Sequence, residues 1–174
     1  YKIGSRGDNN RQFTGVSSNF NFKHTFDSTG REITADIDYA FYNNKSRTEL
    51  TTEIFDANDQ KDGNDVILRG NIPSNIDIYS AKVDYSHPFK NGIKLEAGLK
   101  TSFVKTDNQV VYLRSSGSAW ETDDRSNHFV YEENINAAYA IFSKSIKKWE
   151  LTAGLRVENT NATGHQVKSD SSFE

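Results

Sequence analysis

The sequence predicts an all-β fold, an antiparallel up-and-down meander of about six strands arranged as three hairpins. Three observations predict it. Apolar residues recur with period two, the signature of a strand with one apolar face. The segments that carry this alternation are joined by connections that are alternately short and long. Only two prolines, Pro73 and Pro88, interrupt a 174-residue chain that is 12% aromatic, a composition suited to hydrogen-bonded ladders.

The first strand runs from Val16 to Phe26, with Val16, Phe20, Phe22 and Phe26 on one face and Asn19, Asn21 and Lys23 on the other. A turn, Asp27-Ser28-Thr29-Gly30, leads into a second strand, Ile33 to Phe41, in which Ile33, Ala35, Ile37, Tyr39 and Phe41 alternate with Thr34, Asp36 and Asp38. A long polar connection follows, from Asn43 through Asp56 to Gly63, and alternation at Leu50, Thr52 and Ile54 suggests that the strands extend into it. The third strand sets Tyr79, Ala81, Val83 and Tyr85 against Ser80, Lys82, Asp84 and Ser86, and turns at Pro88–Gly92. The fourth places Ile93, Leu95, Ala97, Leu99 and Phe103 opposite Lys94, Glu96, Gly98, Lys100 and Ser102.

A second long polar connection, about Thr106 to Asn127, reads as a loop. The fifth strand shows Ile135, Ala137, Tyr139 and Ile141 on one face and turns at Ser143–Lys148. The sixth alternates Trp149, Leu151, Ala153, Leu155 and Val157 with Glu150, Thr152, Gly154, Arg156 and Glu158, and from Asn159 the tail is polar.

The alternating connections put every tight turn at one edge of the sheet and every long excursion at the other, as in outer-membrane barrels. On that reading residues 1–174 are a single segment of a transmembrane β-barrel. Asp27–Gly30, Pro88–Gly92 and Ser143–Lys148 are periplasmic, and Leu95, Ala97, Leu99, Tyr139, Leu151 and Leu155 face lipid. Lys82, Asp84, Lys94, Glu96, Lys100, Glu150, Arg156 and Glu158 line a wet lumen. The same pattern fits a soluble β-sandwich, a binding or adhesion module whose apolar faces meet each other.

Composition narrows the function. Mean hydropathy is −0.75, far from that of a membrane-spanning helix, but a barrel strand is half polar and stays low on such a scale. Without cysteine there is no disulfide, thiolate nucleophile or Cys-ligated metal. A net charge of −3 gives no basic field for nucleic acid. The start at Tyr1-Lys2-Ile3-Gly4, with neither Met nor signal sequence, reads as a cut inside a longer precursor.

The segments HTFDSTGREITADIDYAFY, IYSAKVDYSHPFKNGIKLEAGLKTSFVKTDN and FVYEENINAAYAIFSKSIKKWELTAGLRVENTNATG resemble, in order, the barrel of Bacteroidetes-type TonB-dependent outer-membrane receptors. The resemblance implies a barrel of about 22 strands closed by a plug. It also implies localisation in the outer membrane of a Gram-negative bacterium and uptake of a nutrient energised by the TonB complex. The expected partners are outer-membrane lipid, the plug and remaining strands of the parent chain, the TonB complex through that parent, and an imported ligand of unknown identity. Plug, coupling box and terminal aromatic strand have no counterpart here, so no family ligand residue transfers to a position in this chain.

No catalytic constellation emerges, and neither enzyme activity nor a cofactor is expected. Asp56, Asn58, Asp59, Asp62 and Asp65 form an oxygen-rich run that could hold calcium, yet its glycine is misplaced for an EF-hand and Ile67 stands where the bidentate Glu is needed. A solvated loop tip is the default reading. His24, His87, His128 and His165 show no zinc-ligand spacing. The serines around Gly117 lack a nucleophile-elbow context, and Glu132-Glu133 and Asp123-Asp124 are solubilising charges. Arg6-Gly7-Asp8, an adhesive tripeptide by spelling, and the glycosylation-like Asn44-Lys45-Ser46 and Asn161-Ala162-Thr163 receive no function.

Overall fold

The computed structural model describes residues 1–117 and 119–173; Ser118, within the expected second loop, and Glu174, at the end of the chain, lie outside the described residues. Among the described residues, eight strands belong to one antiparallel sheet that curls as part of a barrel: β1 (Lys2–Thr25), β2 (Glu32–Phe55), β3 (Val66–Phe89), β4 (Ile93–Ser116), β5 (Trp120–Thr122), β6 (Asn127–Ile146), β7 (Trp149–Gln166) and β8 (Ser171–Phe173). The order is β1-β2-β3-β4-β6-β7-β8, an up-and-down meander, with β5 paired to the end of β4.

The expected tight turns are present, and the second and third are tighter than the sequence suggests. Asp27 opens the first, accepting hydrogen bonds from the Thr29 N–H (3.0 Å) and hydroxyl, and Gly30 closes it at φ 91°. The second is a 3₁₀ turn, Lys90–Gly92, with Asn91 and Gly92 both left-handed. The third shrinks to Lys147-Lys148, because β6 continues to Ile146.

β2 continues to Phe55, as the alternation at Leu50, Thr52 and Ile54 suggests, whereas the second connection and the tail differ from expectation: β4 continues to Ser116 and β7 to Gln166, so most of the expected loop between Thr106 and Asn127 and much of the polar tail are strand. A strand of 24 residues extends about 80 Å, far more than a bilayer requires. Beyond the membrane both faces can tolerate polar residues, so the alternation that marks the first half fades although the ladders continue, with one gap at Ile72 and Pro73 between β3 and β4. The pairing register stays constant along every long pair, with no bulge to explain the fading.

Register decides which side chains share a face. Ala97 lies opposite Tyr85 and Ala140, and Ala140 opposite Leu155, which puts the even residues of β6 with Leu95, Ala97 and Leu99. Tyr139 lies opposite Gly98 and Arg156 on the charged face, so the expectation that it meets lipid is wrong. β6 carries apolar residues on both faces, Ala137, Tyr139 and Ile141 on one and Ala138, Ala140 and Phe142 on the other. Its alternation therefore could not fix its phase, and only the neighbouring strands do.

Exposure separates the two faces. Along β6, Asn136, Ala138, Ala140 and Phe142 are exposed while Ala137 is buried and Tyr139 and Ile141 are half-buried. Crowding agrees: a Cβ on Gly98 would meet Asp84 Oδ1 and Tyr139 Cε1 at 2.4 Å, and one on Gly70 would meet Thr48 Oγ1 at 2.5 Å. The crowded face is the concave one. The apolar residues of the other face are not covered: Leu99 is 64% exposed and Leu155 73%. A sandwich would bury them against a second sheet, and all eight described strands lie in one.

Candidate functional site: the two faces of the curled sheet

On the convex face, apolar side chains form a belt next to the short turns. It contains Phe20 and Phe22 of β1, Ile37 of β2, Val83 of β3, Leu99 of β4, Phe142 of β6 and Leu155 of β7, all exposed. Aromatic groups mark both its edges. At the upper edge Tyr39, Tyr79 and Phe103 lie side by side across three strands, with ring centroids 5.0 and 6.5 Å apart. At the lower edge stand Phe26, Tyr85, His87 and Phe89, with His87 and Phe89 at 4.2 Å and Phe26 and Tyr85 at 6.3 Å.

The belt runs obliquely across the strands. Tracing the partner of Val16 from strand to strand leads through Phe41, Asp77, Lys105 and Glu132 to Thr163. On β7, however, the apolar run stops at Val157, about six residues short of Thr163; at ~3.3 Å per residue that is ~20 Å, across five strand spacings of ~4.8 Å. A level belt drawn on these strands therefore requires a strand tilt of about 40°, inside the range of roughly 35–45° found in transmembrane barrels. With that tilt, Tyr79 to Phe89 spans a height of about 25 Å, the thickness of the apolar band of an outer-membrane barrel.

Behind the belt, the concave face is charged. Asp36, Lys82, Lys100 and Glu158 fall in one row across β2, β3, β4 and β7, with Ala137 of β6 between the last two. Asn21 donates to Asp36 at 2.6 Å and Asn19 to Asp38 at 2.7 Å. The Tyr139 hydroxyl donates to Asp84, which also pairs with Lys82. Lys94 pairs with Glu96 at 2.8 Å, and Lys23 with Glu32 at 2.7 Å. Such pairs in contact with water each contribute at most about 1 kcal/mol, so their value here is hydration of the wall more than stability.

In the half nearer the long loops the arrangement reverses. Ile76 and Ile78 of β3, Tyr42 of β2, Val104 of β4 and Tyr131 of β6 are on the concave face, while Lys45, Arg47, Glu49, Arg69, Asp77, Lys105 and Asp107 are on the convex one. Lys105 donates to Glu132 at 2.7 Å, His128 pairs with Asp107 at 2.8 Å, and Arg69 donates to Glu49 at 2.6 Å while lying over the Trp120 ring. The sequence reading missed this reversal; the signal was there, in the shift of apolar parity from Tyr79 to Ile78 and from Phe103 to Val104.

The oxygen-rich run lies in the loop between β2 and β3. Asp56 Oδ1 accepts the backbone N–H of Asn58 (2.8 Å) and Gln60 (2.9 Å), and Asp59 pairs with Lys2 at 2.9 Å. Lys61 pairs with Asp65 at 2.7 Å and donates to Glu53 at 3.4 Å, contacts that hold its ammonium pKa above the usual value. Asn58 and Asp62 are exposed. Among the described residues no group of three or more His, Cys, Asp or Glu is placed to hold a metal ion.

The other sequence candidates fall on separate elements. Arg6-Gly7-Asp8 is extended within β1 and paired to Thr51-Leu50-Glu49, with no turn to present it. Asn44-Lys45-Ser46 lies within β2 and Asn161-Ala162-Thr163 within β7. Asp123 accepts both the backbone N–H and the guanidinium of Arg125, which keeps its carboxyl far below the usual range. His24 and His87 border the apolar belt, and His165 accepts or donates to Ser172 at 2.9 Å.

A family model described as the outer membrane protein beta-barrel family matches residues 24–174. Among solved structures, the crystal structure of the ferric citrate transporter FecA in the unliganded form is similar at 14% identity with a TM-score of 0.44, over 82% of this chain and 22% of that one. The chain thus spans about a fifth of that structure. No curated protein sequence matches.

Proposed function

The chain belongs to the outer membrane protein beta-barrel family, and from that premise we propose that it is a wall segment of a TonB-dependent receptor that imports a nutrient across the outer membrane. One observation carries the reading: the oblique apolar belt, about 25 Å tall, backed by a charged concave surface. A wall that is apolar outside and charged inside encloses water within lipid, which is what a transporter's lumen requires. The resemblance to TonB-dependent receptor barrels, read from the three sequence segments, supplies the energy-coupled part of the proposal.

In this reading the whole chain, residues 1–174, is one barrel segment, and the remaining strands and a plug come from the parent protein. The short turns Asp27–Gly30, Lys90–Gly92 and Lys147-Lys148 face the periplasm, and the long strand extensions stand outside the cell. The segment binds lipid on its convex face and contributes no catalytic group. The TonB complex acts on the parent chain, and this segment holds the pathway open between lipid and lumen.

The test has two stages. The full-length protein should fractionate with outer membranes and need detergent for release; recovery in the soluble periplasmic fraction would sink the membrane reading. Cells that depend on it for a limiting nutrient should lose uptake when the proton gradient is dissipated. Undiminished uptake without the gradient would leave a passive pore and remove the TonB-dependent part.

A further inference from the structure

Resting on the membrane-wall part of that reading, we propose that the corner where the second and third short turns meet is a binding site for the headgroup of an anionic phospholipid. Register builds the corner. Phe89, Ile93, Lys144 and Leu151 form one convex row across β3, β4, β6 and β7, and Ile146 lies opposite Trp149 on the same face, one pair nearer the turn. The two turns, Lys90–Gly92 and Lys147-Lys148, abut, since a Cβ on Gly92 would meet the Ser145 carbonyl oxygen at 3.2 Å. At the tilt of the belt, a level line shifts by about 1.2 residues per strand toward the short turns. The level of Phe89 therefore passes near Ile146 and reaches Lys147-Lys148 beside β7. Lys90, Lys147 and Lys148 stand at the lower boundary of the belt, and Lys144 just inside it.

Three features point to a lipid that carries phosphate. First, the charge is of one sign. Lys90, Lys144, Lys147 and Lys148 are exposed, and among the described residues none of them pairs with a carboxylate; Glu150 opposes Ser145 on the concave side. At other margins of the belt the charges are matched: Lys105 donates to Glu132, His128 pairs with Asp107, and Arg31 pairs with Asp27 at 3.2 Å. A cluster of about four basic side chains at a membrane surface attracts anionic over zwitterionic headgroups. Second, the corner is continuous with the lipid-facing belt. Phe89, Ile146, Trp149 and Leu151 are exposed around Lys144, whose stem lies along hydrocarbon while its ammonium reaches toward the headgroups. A soluble acidic partner would have to enter hydrocarbon to cover this row, whereas a lipid meets both parts of the corner with its own chains and phosphate. Third, Lys147 has φ 54°, a conformation that two-residue hairpin turns ordinarily give to Gly, Asn or Asp. The neighbouring turn follows that preference with Asn91 and Gly92, so backbone geometry does not account for a lysine at 147, and its charge does.

The probes are phosphatidylglycerol and phosphatidylethanolamine with identical acyl chains, competed for the full-length protein in detergent and counted as retained lipid by native mass spectrometry. The unsubstituted protein should retain phosphatidylglycerol at least fivefold over phosphatidylethanolamine. Joint Lys90→Gln, Lys144→Gln, Lys147→Gln and Lys148→Gln should reduce that ratio at least threefold, and arginine at the same four positions should keep it within twofold. The difference between the two proteins isolates the corner from the rest of the parent barrel. Lys45→Gln with Arg47→Gln, six or more residues beyond Tyr39 on the same convex face, should leave the ratio within twofold. Where the fourfold glutamine variant fails to insert, Lys147→Asn with Lys148→Asn, a residue that hairpin turns favour, should lower the ratio at least twofold.

Equal retention of the two lipids by the unsubstituted protein, or a preference that the glutamine and asparagine variants leave unchanged, would overturn the proposal. So would an oligomer that dissociates when the four lysines are neutralised, because a second copy would then occupy the corner. Gradient-dependent uptake without any headgroup preference would reject this site alone and leave the transport reading intact. A headgroup preference lost in the glutamine variant, together with uptake that ignores the gradient, would keep the site and remove the TonB-dependent part.

Discussion

The two halves of this sheet use the same strands, the same register and opposite sides. Near the short turns, charges such as Lys82, Asp84, Lys100 and Glu158 are concave and the large apolar groups convex; near the long loops, charges such as Arg47, Glu49, Arg69 and Asp107 are convex and Ile76, Ile78 and Val104 concave. No bulge separates the halves, so the exchange owes nothing to backbone geometry. What changes between them is the surroundings. The convex surface faces lipid below and water above, and this accounts for the convex side of the exchange.

The largest test of the comparison is to put a charge on the convex face of each half. Leu99→Arg, at mid-height of the belt, should cost about 2–4 kcal/mol in unfolding from lipid vesicles, because the guanidinium has no water there. Gln109→Arg, on the same face of the same strand but above the belt, should stay within ~0.5 kcal/mol. Equal costs at the two positions would mean that the belt does not meet lipid.

The phase of β6 offers a sharper pair. Ala140→Arg should be destabilising by about 2–3 kcal/mol, whereas Tyr139→Phe removes only a hydrogen bond to Asp84 in a wet wall, about 1 kcal/mol. If Tyr139→Arg proved as costly as Ala140→Arg in the same vesicle assay, the register of β6 described here would be wrong.

Crowding on the concave face predicts a contrast between two of its glycines. Gly98→Ala drives a methyl against Asp84 and Tyr139 and should cost about 1–2 kcal/mol, as overpacking does. Gly7→Ala, in the long-loop half, meets nothing nearer than 3.8 Å and should be neutral or slightly stabilising by denaturant melts.

The smallest expected effect is one of acid. Asp123 is held ionised by Arg125, so its folded pKa lies below its unfolded one. That contribution is complete above the unfolded value near 3.8 and is lost only as pH falls through the lower folded value. Amide exchange of the loop around Asp123 should therefore be unchanged between pH 8 and pH 5 apart from the intrinsic rate; loosening within that window would contradict the pairing.

The half inside the belt was legible in the sequence. Val16 to Phe26, Ile33 to Phe41 and Ile93 to Phe103 alternate cleanly because one side must be apolar and the other wet, and the turn at Asp27–Gly30 announced itself through an Asp side-chain bond and a left-handed glycine. In the other half, alternation at Leu50, Thr52 and Ile54 suggests that the second strand extends, but Thr106 to Ser116 reads as loop because it carries polar residues on both faces and its apolar parity shifts. The concave aromatic patch was illegible for the same reason. Tyr42, Ile76 and Tyr131 lie far apart in the chain and acquire a common face only through pairing.

Taken alone, the amino-acid order determined that strands form, where the tight turns fall and that one side of each strand near those turns is oily, because these depend on neighbours one or two residues away. Pairing between strands decided the length of the ladders, the parity of β6, the slope of the belt and the meeting of Tyr42, Ile76, Val104 and Tyr131, because each of these is a relation between residues of different strands that no local pattern encodes.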